Sequence, residues 1–458
     1  MADTADNFDV VVLGAGSGGY ACALRASQLG LRVAMVEKDK VGGTCLHRGC
    51  IPSKALLHAA EVADHAREGA SIGVNTTLES IDMKKVNAYR DSVVDRLYKG
   101  LQGLVGHADV TVFHGEGRLV DAHTVEVDGQ QVSGTNVVLA TGSYARTLPG
   151  LEIGGRVMTS EQALEMDFVP TSAVIIGGSV IGVEFASVWR SFGADVTIVE
   201  ALPHLVPLED EMLSKHLERA FRKRKIAFKV GTRFESVTQD DDGVTVTLDG
   251  GETLKAEVLL VAVGRGANGE GFGFEDAGVS VDRGWVPTDE RLHTNVNGVF
   301  AVGDLVPGLQ LAHRGFQHGI FVAEEVAGLS PLPVPDINVP RVTYCDPEIA
   351  SVGLTEKQAV EKLGEVETYE YNLAGNGRSQ ILQTQGVVKL VREKDGPIVG
   401  VHMIGSRMGE QVGEATLIVN WDAYPEDVAQ FVHAHPTQTE ALGEAALALA
   451  GKPLHSHA

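Results

Sequence analysis

One folding plan is written twice into this chain of 458 residues. The first copy is FDVVVLGAGSGGYACALRASQLG followed by LRVAMVEK. An apolar run reads as a strand, Gly14, Gly16 and Gly19 as a turn, then a helical period leads to a second strand ending at Glu37. The second copy is SAVIIGGSVIGVEFASVWRSFG followed by ADVTIVE, with Gly177 and Gly182 in the turn and Glu200 at the strand end. From first glycine to acid is 23 positions in both copies. In such a unit the first glycine makes the tight turn and the second lets a pyrophosphate approach the backbone. The third lets the helix press on the strand, and the acid hydrogen-bonds a ribose 2′-hydroxyl. Ser179 stands where the second copy's middle glycine belongs, so its side chain must tuck aside or contact the phosphate.

The expected fold class is therefore α/β. It has two Rossmann-like dinucleotide-binding domains, one inserted in the other, and a C-terminal α+β interface domain. After each repeat comes another apolar strand ending in glycine, NVVLATG and EVLLVAVGR, and then NVNGVFAVGD, which brings Asp304 to a strand's carboxyl end. Ligands bind at such ends in open sheets; a turn-capping role fits Asp304 equally. The proline-rich Pro331–Pro340 reads as a linker. Beyond it, VVKLVRE and IVGVHMIG alternate as antiparallel strands do. The expected boundaries are 1–148 for the first part of an FAD domain and 149–275 for an NAD domain. Residues 276–335 form the second part of the FAD domain, and 336–458 the dimerisation domain.

Composition narrows the partners. Net charge is −23, from 38 basic and 61 acidic residues, which argues against a nucleic-acid partner. No apolar run is long enough to cross a bilayer, and the acidic N-terminus MADTADNFD lacks the pattern of a secretory signal. A cytoplasmic protein is expected. There, a close cysteine pair is more often redox-active or metal-binding than a structural staple.

Half of the four cysteines fall in one loop, GGTCLHRGCIPSK, with Cys45 and Cys50 five positions apart. The loop follows Glu37 directly, so it belongs beside the first dinucleotide. Cys50 opens a helical run containing Pro52, where a thiolate is stabilised, and Lys54 lies one turn on. A zinc site would need a second ligand pair; Cys22 and Cys345 are isolated and read as small buried hydrophobes, Cys22 on the first helix and Cys345 on a strand. No metal is expected. A redox disulfide is the reading these residues support. Exchange with a substrate dithiol needs a proton carrier. HAHPTQTEALGE offers His435 with Glu440 five residues on. The same letters spell a helix-opening capping box, Thr437-x-x-Glu440, and spacing does not decide between the two. Glu200 disfavours a 2′-phosphate, and Ala201, Leu202 and Pro203 supply no arginine to receive one, so NAD is expected over NADP.

In order along the chain, GAGSGGY, GGTCLHRGCIPSK, GGSVIGVE, AVGD, LAH and HAHPTQTEALGE resemble the flavin-dependent pyridine nucleotide–disulfide oxidoreductases. The likeness spans essentially the whole chain and is nearest to the branch that oxidises dihydrolipoamide. It implies non-covalent FAD held at Gly14, Gly16, Gly19, Glu37, Lys54, Thr141, Gly142, Asp304 and Ala312. It implies NAD at Gly177, Gly182, Glu184, Glu200 and Gly264, with Glu184 also matching the partner of Lys54. Cys45, Cys50, His435 and Glu440 match the catalytic positions, and an obligate homodimer would bring His435 of one subunit to Cys45 of the other. The implied reaction carries electrons from protein-bound dihydrolipoamide through the disulfide and FAD to NAD+. The implied partners are lipoyl domains and the core of a 2-oxo acid dehydrogenase complex, or the lipoylated protein of glycine cleavage. The alternative is an NAD(P)H-dependent reductase of another low-molecular-weight disulfide. Two departures stand out: His47 replaces the usual Asn between the cysteines, where it would tune the disulfide, and Ser179 replaces a glycine.

Overall fold

The computed structural model describes residues 7–455. The chain folds as two units. One comprises Met1–Ala55, Lys84–Arg146 and Arg265–Asp336; the other comprises Leu56–Met83, Thr147–Gly264 and Ile337–Ala458.

The first unit is built on a seven-stranded sheet. Its parallel part runs Val110–His114, Val33–Glu37, Asn7–Leu13 and Gln130–Leu139, and Val299–Ala301 pairs beside the last of these. Thr124–Val127 and Gly117–Asp121 extend it antiparallel. Val10 to Leu13 and Val137 to Leu139 are buried without alternation. A parallel strand covered on both faces demands such an uninterrupted apolar run. The covering helices include Ser17–Gln28 and Ala312–Val326. No helix among the described residues is long and apolar enough to cross a membrane.

The second unit holds the second dinucleotide fold. Its parallel sheet orders Ala227–Lys229, Asp195–Val199, Ser172–Ile176, Val258–Val261 and Val157–Thr159. A three-stranded antiparallel sheet, Phe234–Gln239, Val244–Leu248 and Thr253–Ala256, packs against one face of it, over Val174, Ile176, Leu259 and Val261.

The same unit contains the C-terminal five-stranded antiparallel sheet, ordered Arg341–Thr343, Glu348–Gly353, Ile398–Gly405, Val387–Glu393 and Val366–Asn372. One face carries an apolar core completed by the helices Met408–Asn420 and Glu440–Leu449. The alternating pattern places polar residues on the other face, and the structure buries the middle of that face, Ser351, His402 and Lys389, while Glu370 at its end stays exposed. Arg341 pairs in register with Ser351, Ser351 with His402, His402 with Lys389, and Lys389 with Glu370. This polar row crosses all five strands. Asp210, which caps the helix Glu211–Lys223 through Met212 N, receives Lys389 Nζ at 2.9 Å, and Glu209 receives Arg341 Nε at 3.0 Å. Lys389 also reaches Glu356 at 2.6 Å.

Such a network is stable only while complete, because a buried charge without its partner bears the whole desolvation cost. Lys389 is 4% exposed and Asp210 3%. Lys389→Met should therefore lower unfolding free energy by about 3–5 kcal/mol, read as an earlier urea midpoint. A loss below about 1 kcal/mol would show that the Lys389–Asp210 pair is not closed off from water as its low exposure implies.

Candidate active site

The two dinucleotide turns are built by the same contacts. Gly14 lies at φ +103°, and a side chain there would collide with the Ala140 carbonyl; one on Gly19 would overlap the Gly14 carbonyl oxygen. Gly177 lies at φ +107° against the Ala262 carbonyl, and Gly182 lies against Gly177 in the same way. These four positions need glycine for the chain's own packing. Gly16 differs: its φ of −69° suits any residue, and a Cβ there would meet nothing within 4 Å. The open space lies where a pyrophosphate would approach, and the helix Ser17–Gln28 offers its N-terminal N–H groups there without a side-chain cap or an acid in its first turn. The residues thus fit a bound dinucleotide. Ser179 has Gly16's conformation, φ −87° and ψ −168°, and its hydroxyl makes no capping bond, so the replacement adds no backbone strain.

The strand-end acids work alike. Glu37 Oε2 accepts from Ala15 N at 2.8 Å and Oε1 from Asp39 N at 2.9 Å. Glu200 Oε2 accepts from Gly178 N at 2.7 Å and Oε1 from Leu202 N at 2.8 Å. Each carboxylate braces its own glycine turn. Each oxygen retains a second lone pair for a ribose hydroxyl. Burial pushes the Glu37 carboxyl above its ordinary value, against the Ala15 N–H and the charges of Lys38 and Arg48.

The cysteine loop is fastened to the first turn. Gly42 N donates to Ala15 O at 2.8 Å, and Gly43 lies so close that a Cβ would stand 2.7 Å from Gly16 Cα. Cys45 sits in the short helix Gly43–His47, and Cys50 is the first residue of Cys50–Glu68. Both are thiols. Their hydrogen bond, together with burial, raises the Cys45 pKa, while Lys54 opposes and Asp304 adds to the rise. Cys50 instead occupies a helix start, where a thiolate is favoured. The His47 ring is held by other groups: its Nε2 meets Val41 O at 3.0 Å, and its ring stands edge-on to Tyr98 at 4.9 Å. Its place is that of a brace for the loop.

Asp304 lies in the turn Gly303–Leu305 and accepts from Ser143 Oγ at 2.6 Å; Arg265 Nε donates to the same hydroxyl at 2.7 Å. Thr141 Oγ1 donates to Asn268 O at 2.7 Å, and Asn268 N returns a bond to Gly142 O at 2.9 Å. Ala312 begins the helix Ala312–Val326, whose first turn has no side-chain cap. Gly142 and Gly264 are left-handed, at φ +74° and +103°. Glu184 is buried and accepts from Tyr344 N at 2.9 Å. Ser143, Asn268 and His318 were not legible beforehand, since isolated polar residues carry no spacing signal. Cys22 and Cys345 are buried as expected, but Cys345 lies in the turn between Arg341–Thr343 and Glu348–Gly353 and not on a strand. Its thiol donates to Pro347 O.

At the other end of the chain, Glu440 does both jobs the sequence left open. Its Oε1 meets His435 Nδ1 at 2.8 Å and its Oε2 accepts from Thr437 N at 2.7 Å. The capping box is incomplete, however. The last helix starts at Glu440 with Thr439 as its cap, and the Thr437 hydroxyl donates to Ala434 O instead of accepting from the helix. The His435 side chain is 77% exposed, free to present Nε2 outward. Burial pushes the Glu440 carboxyl up, and the Thr437 N–H and His435 more than offset it, leaving the carboxylate favoured.

His318 holds the Asp304 turn as a neutral acceptor, taking Gly303 N on Nδ1 at 3.3 Å. Burial, with Arg314 beside it, lowers its pKa to about 4. The unfolded chain takes a proton below about 6.5 and the folded chain does not until about 4, so stability is lost as pH falls through that window. His318 should account for a loss of about 3 kcal/mol between those limits. His318→Gln, which can accept the same bond without titrating, should flatten that part of the curve; an unchanged curve would refute the assignment.

Residues 8–319 match the family model for pyridine nucleotide-disulphide oxidoreductases, and 339–446 match that family's dimerisation domain. Among relatives, the chain is 41% identical to a dihydrolipoyl dehydrogenase of Bacillus subtilis, covering 98% of this chain and 100% of that one. It is 37% identical to the mitochondrial dihydrolipoyl dehydrogenase of Pisum sativum, covering 99% and 94%. A leghemoglobin reductase of Glycine max is 38% identical over 100% and 90%. Among solved structures, LpdA of Mycobacterium tuberculosis superposes with a TM-score of 0.89 at 25% identity, covering 96% and 99%. The flavoprotein disulfide reductase RclA of Escherichia coli, as its Cu(II) complex, gives 0.87 at 25%, covering 97% and 100%. The paired turns, the cysteine loop and the matches over both parts of the chain lead to one conclusion: it belongs to the pyridine nucleotide-disulphide oxidoreductase family.

Proposed function

We propose that this chain is a dihydrolipoyl dehydrogenase, oxidising protein-bound dihydrolipoamide with NAD+ in the cytoplasm as a homodimer. The observation that carries the reading is the cysteine pair fastened to the first dinucleotide turn by the Gly42–Ala15 hydrogen bond. The Bacillus and pea relatives carry that activity in their names, and the match to a dimerisation domain supports the homodimer.

FAD, when bound at the first turn, supplies the two-electron acceptor that passes hydride on to NAD+. Gly16's open approach, the free helix N-terminus, Glu37 and Asp304 would hold it. The residues of the chain do the rest. His435 of the partner subunit, oriented by its own subunit's Glu440, takes the proton of one substrate thiol. The thiolate attacks Cys45 Sγ of the oxidised pair, forming a mixed disulfide and releasing Cys50 as thiolate at its helix start. Lys54 is placed to stabilise that charge. The second substrate thiol then attacks the mixed disulfide, closing lipoamide and freeing Cys45. Two electrons leave the dithiol and reduce the cysteine disulfide, and the imidazole carries the proton. At the second turn, Glu200 receives the ribose of NAD+ and leaves no place for a 2′-phosphate. Lipoyl domains of a 2-oxo acid dehydrogenase core, or the lipoylated protein of glycine cleavage, are the partners this chemistry requires.

The test is stepwise and anaerobic. Dihydrolipoamide added to the purified flavoprotein should reduce one disulfide per subunit, titrated as two new thiols, and NAD+ should then yield NADH. His435→Gln should lower turnover by about 10²–10⁴-fold while the flavin content stays intact. Gly19→Ala, which forces a methyl into the Gly14 carbonyl, should be isolated without flavin. The likeness to a disulfide reductase gives the rival outcome its place: reduction by NADPH with no response to dihydrolipoamide would assign another low-molecular-weight disulfide as substrate.

A further inference from the structure

The segment that carries His435 holds a second histidine–carboxylate pair. His433 Nε2 meets Glu414 Oε1 at 2.7 Å, Glu414 being on the helix Met408–Asn420. Where the side chain of His435 is open to solvent, that of His433 is only 12% exposed. A charge-assisted bond of this length, largely out of water, favours the imidazolium. Glu414 raises the His433 pKa, burial opposes it, and Glu440 and the Phe431 backbone add to the rise. Glu414 and Glu440 are the charged groups facing it from the two helices, and the Phe431 carbonyl faces it from its own segment.

A second observation comes from the last helix. Gly443 sits inside Glu440–Leu449 without a left-handed φ. Glycine is disfavoured inside a helix against alanine, so a local reason is required. The structure provides one: a Cβ at 443 would stand 2.6 Å from His433 Nδ1 and 2.8 Å from Cε1. The glycine leaves room for the ring. Gly443 is one turn beyond Glu440, on the same face of the helix. His433 is therefore wedged against the turn that presents Glu440 to His435. Carboxylates and imidazoles alternate along the row: Glu414, His433, Glu440, His435.

We propose that His433, charged and anchored by Glu414, is a positioning residue that seats the 433–437 segment on the last helix and keeps Glu440 an oriented carboxylate for His435. The role rests on the reading of His435 as proton carrier. Its partner is neither the substrate nor the dinucleotide but the base itself. Loss of a positive charge next to Glu440 and His435 favours the protonated imidazole, so the base form would be reached only at higher pH.

The test is the pH profile of turnover with dihydrolipoamide and NAD+, measured on folded, flavin-loaded dimers. In His433→Gln, turnover should fall about 10-fold and the acid limb should move up by about half a pH unit. His433→Lys, which restores the charge, should return the limb to its wild-type position. Gly443→Ala, which crowds the ring but keeps its charge, should lower turnover as His433→Gln does, although alanine suits a helix better, and leave the limb near its wild-type position. If His433→Gln does not fold, Glu414→Gln takes its place: it unseats the ring and should lower turnover similarly, with little movement of the limb because a negative charge is lost along with the positive one. A limb unmoved and turnover within twofold of wild type in these variants would overturn the proposal. His435→Gln measured alongside separates the two readings. If it keeps wild-type turnover, the assignment of the base falls; if it is nearly inactive while the His433 variants are normal, only the positioning role falls.

Discussion

The close approach of Gly19 to the Gly14 carbonyl, and of Gly14 to Ala140, is the contact on which the rest of the first unit depends. It brings the start of a helix to the end of the parallel strands and, among the described residues, leaves that helix start without a side-chain cap. The same loop is then used twice. Its front is the dinucleotide site, and its flank, through Ala15 O and Gly16 Cα, is the seat for Gly42 and Gly43. The cysteines are thus placed by the same turn that would place the cofactor, and no further element is needed to align them. Repetition of the turn at Gly177 and Gly182, down to which carbonyl each glycine clears, shows that the geometry is set by backbone packing and not by the particular ligand.

The carboxylates at the ends of the second strands illustrate why motif letters understate what a residue does. Glu37 and Glu200 were read as ribose ligands. Each spends one lone pair of each oxygen on the backbone, bracing its own turn, before any nucleotide arrives. Binding a ribose hydroxyl then requires no reorganisation, because the acceptor is already oriented. Glu440 repeats the arrangement, one oxygen to Thr437 N and the other to His435. In all three a single carboxylate fixes backbone and leaves a directed acceptor.

What the sequence disclosed follows the range of the interactions. The two nucleotide folds were legible because strand, glycine spacing and acid fall within one local unit. The cysteine loop was legible because it abuts that unit. Ser143, Asn268 and His318 were not, since their partners Asp304, Thr141 and Gly303 are brought to them by chain folding and not by spacing. The alternation marks the C-terminal strands as antiparallel, but it does not say what covers their polar positions. Nothing in the alternation of VVKLVRE says that Asp210, 179 positions from Lys389, will cover them. The capping box fails in its details because the helix starts at Glu440, two residues later than a Thr437 cap requires, and the Ala434 carbonyl takes the Thr437 hydroxyl.

The two histidines of the HAHPT stretch divide by exposure. Both have a carboxylate partner at hydrogen-bond distance, so pairing alone does not mark a base. A proton carrier must reach the reactant and change charge readily; a structural cation must do neither. His435 is open, and its partner Glu440 is shared with the backbone. His433 is enclosed between Glu414 and Gly443, where changing charge would strand Glu414. The imidazole proposed as the proton carrier is thus borne by a segment whose other imidazole, two residues away, is held in place by Glu414 and by the space left at Gly443.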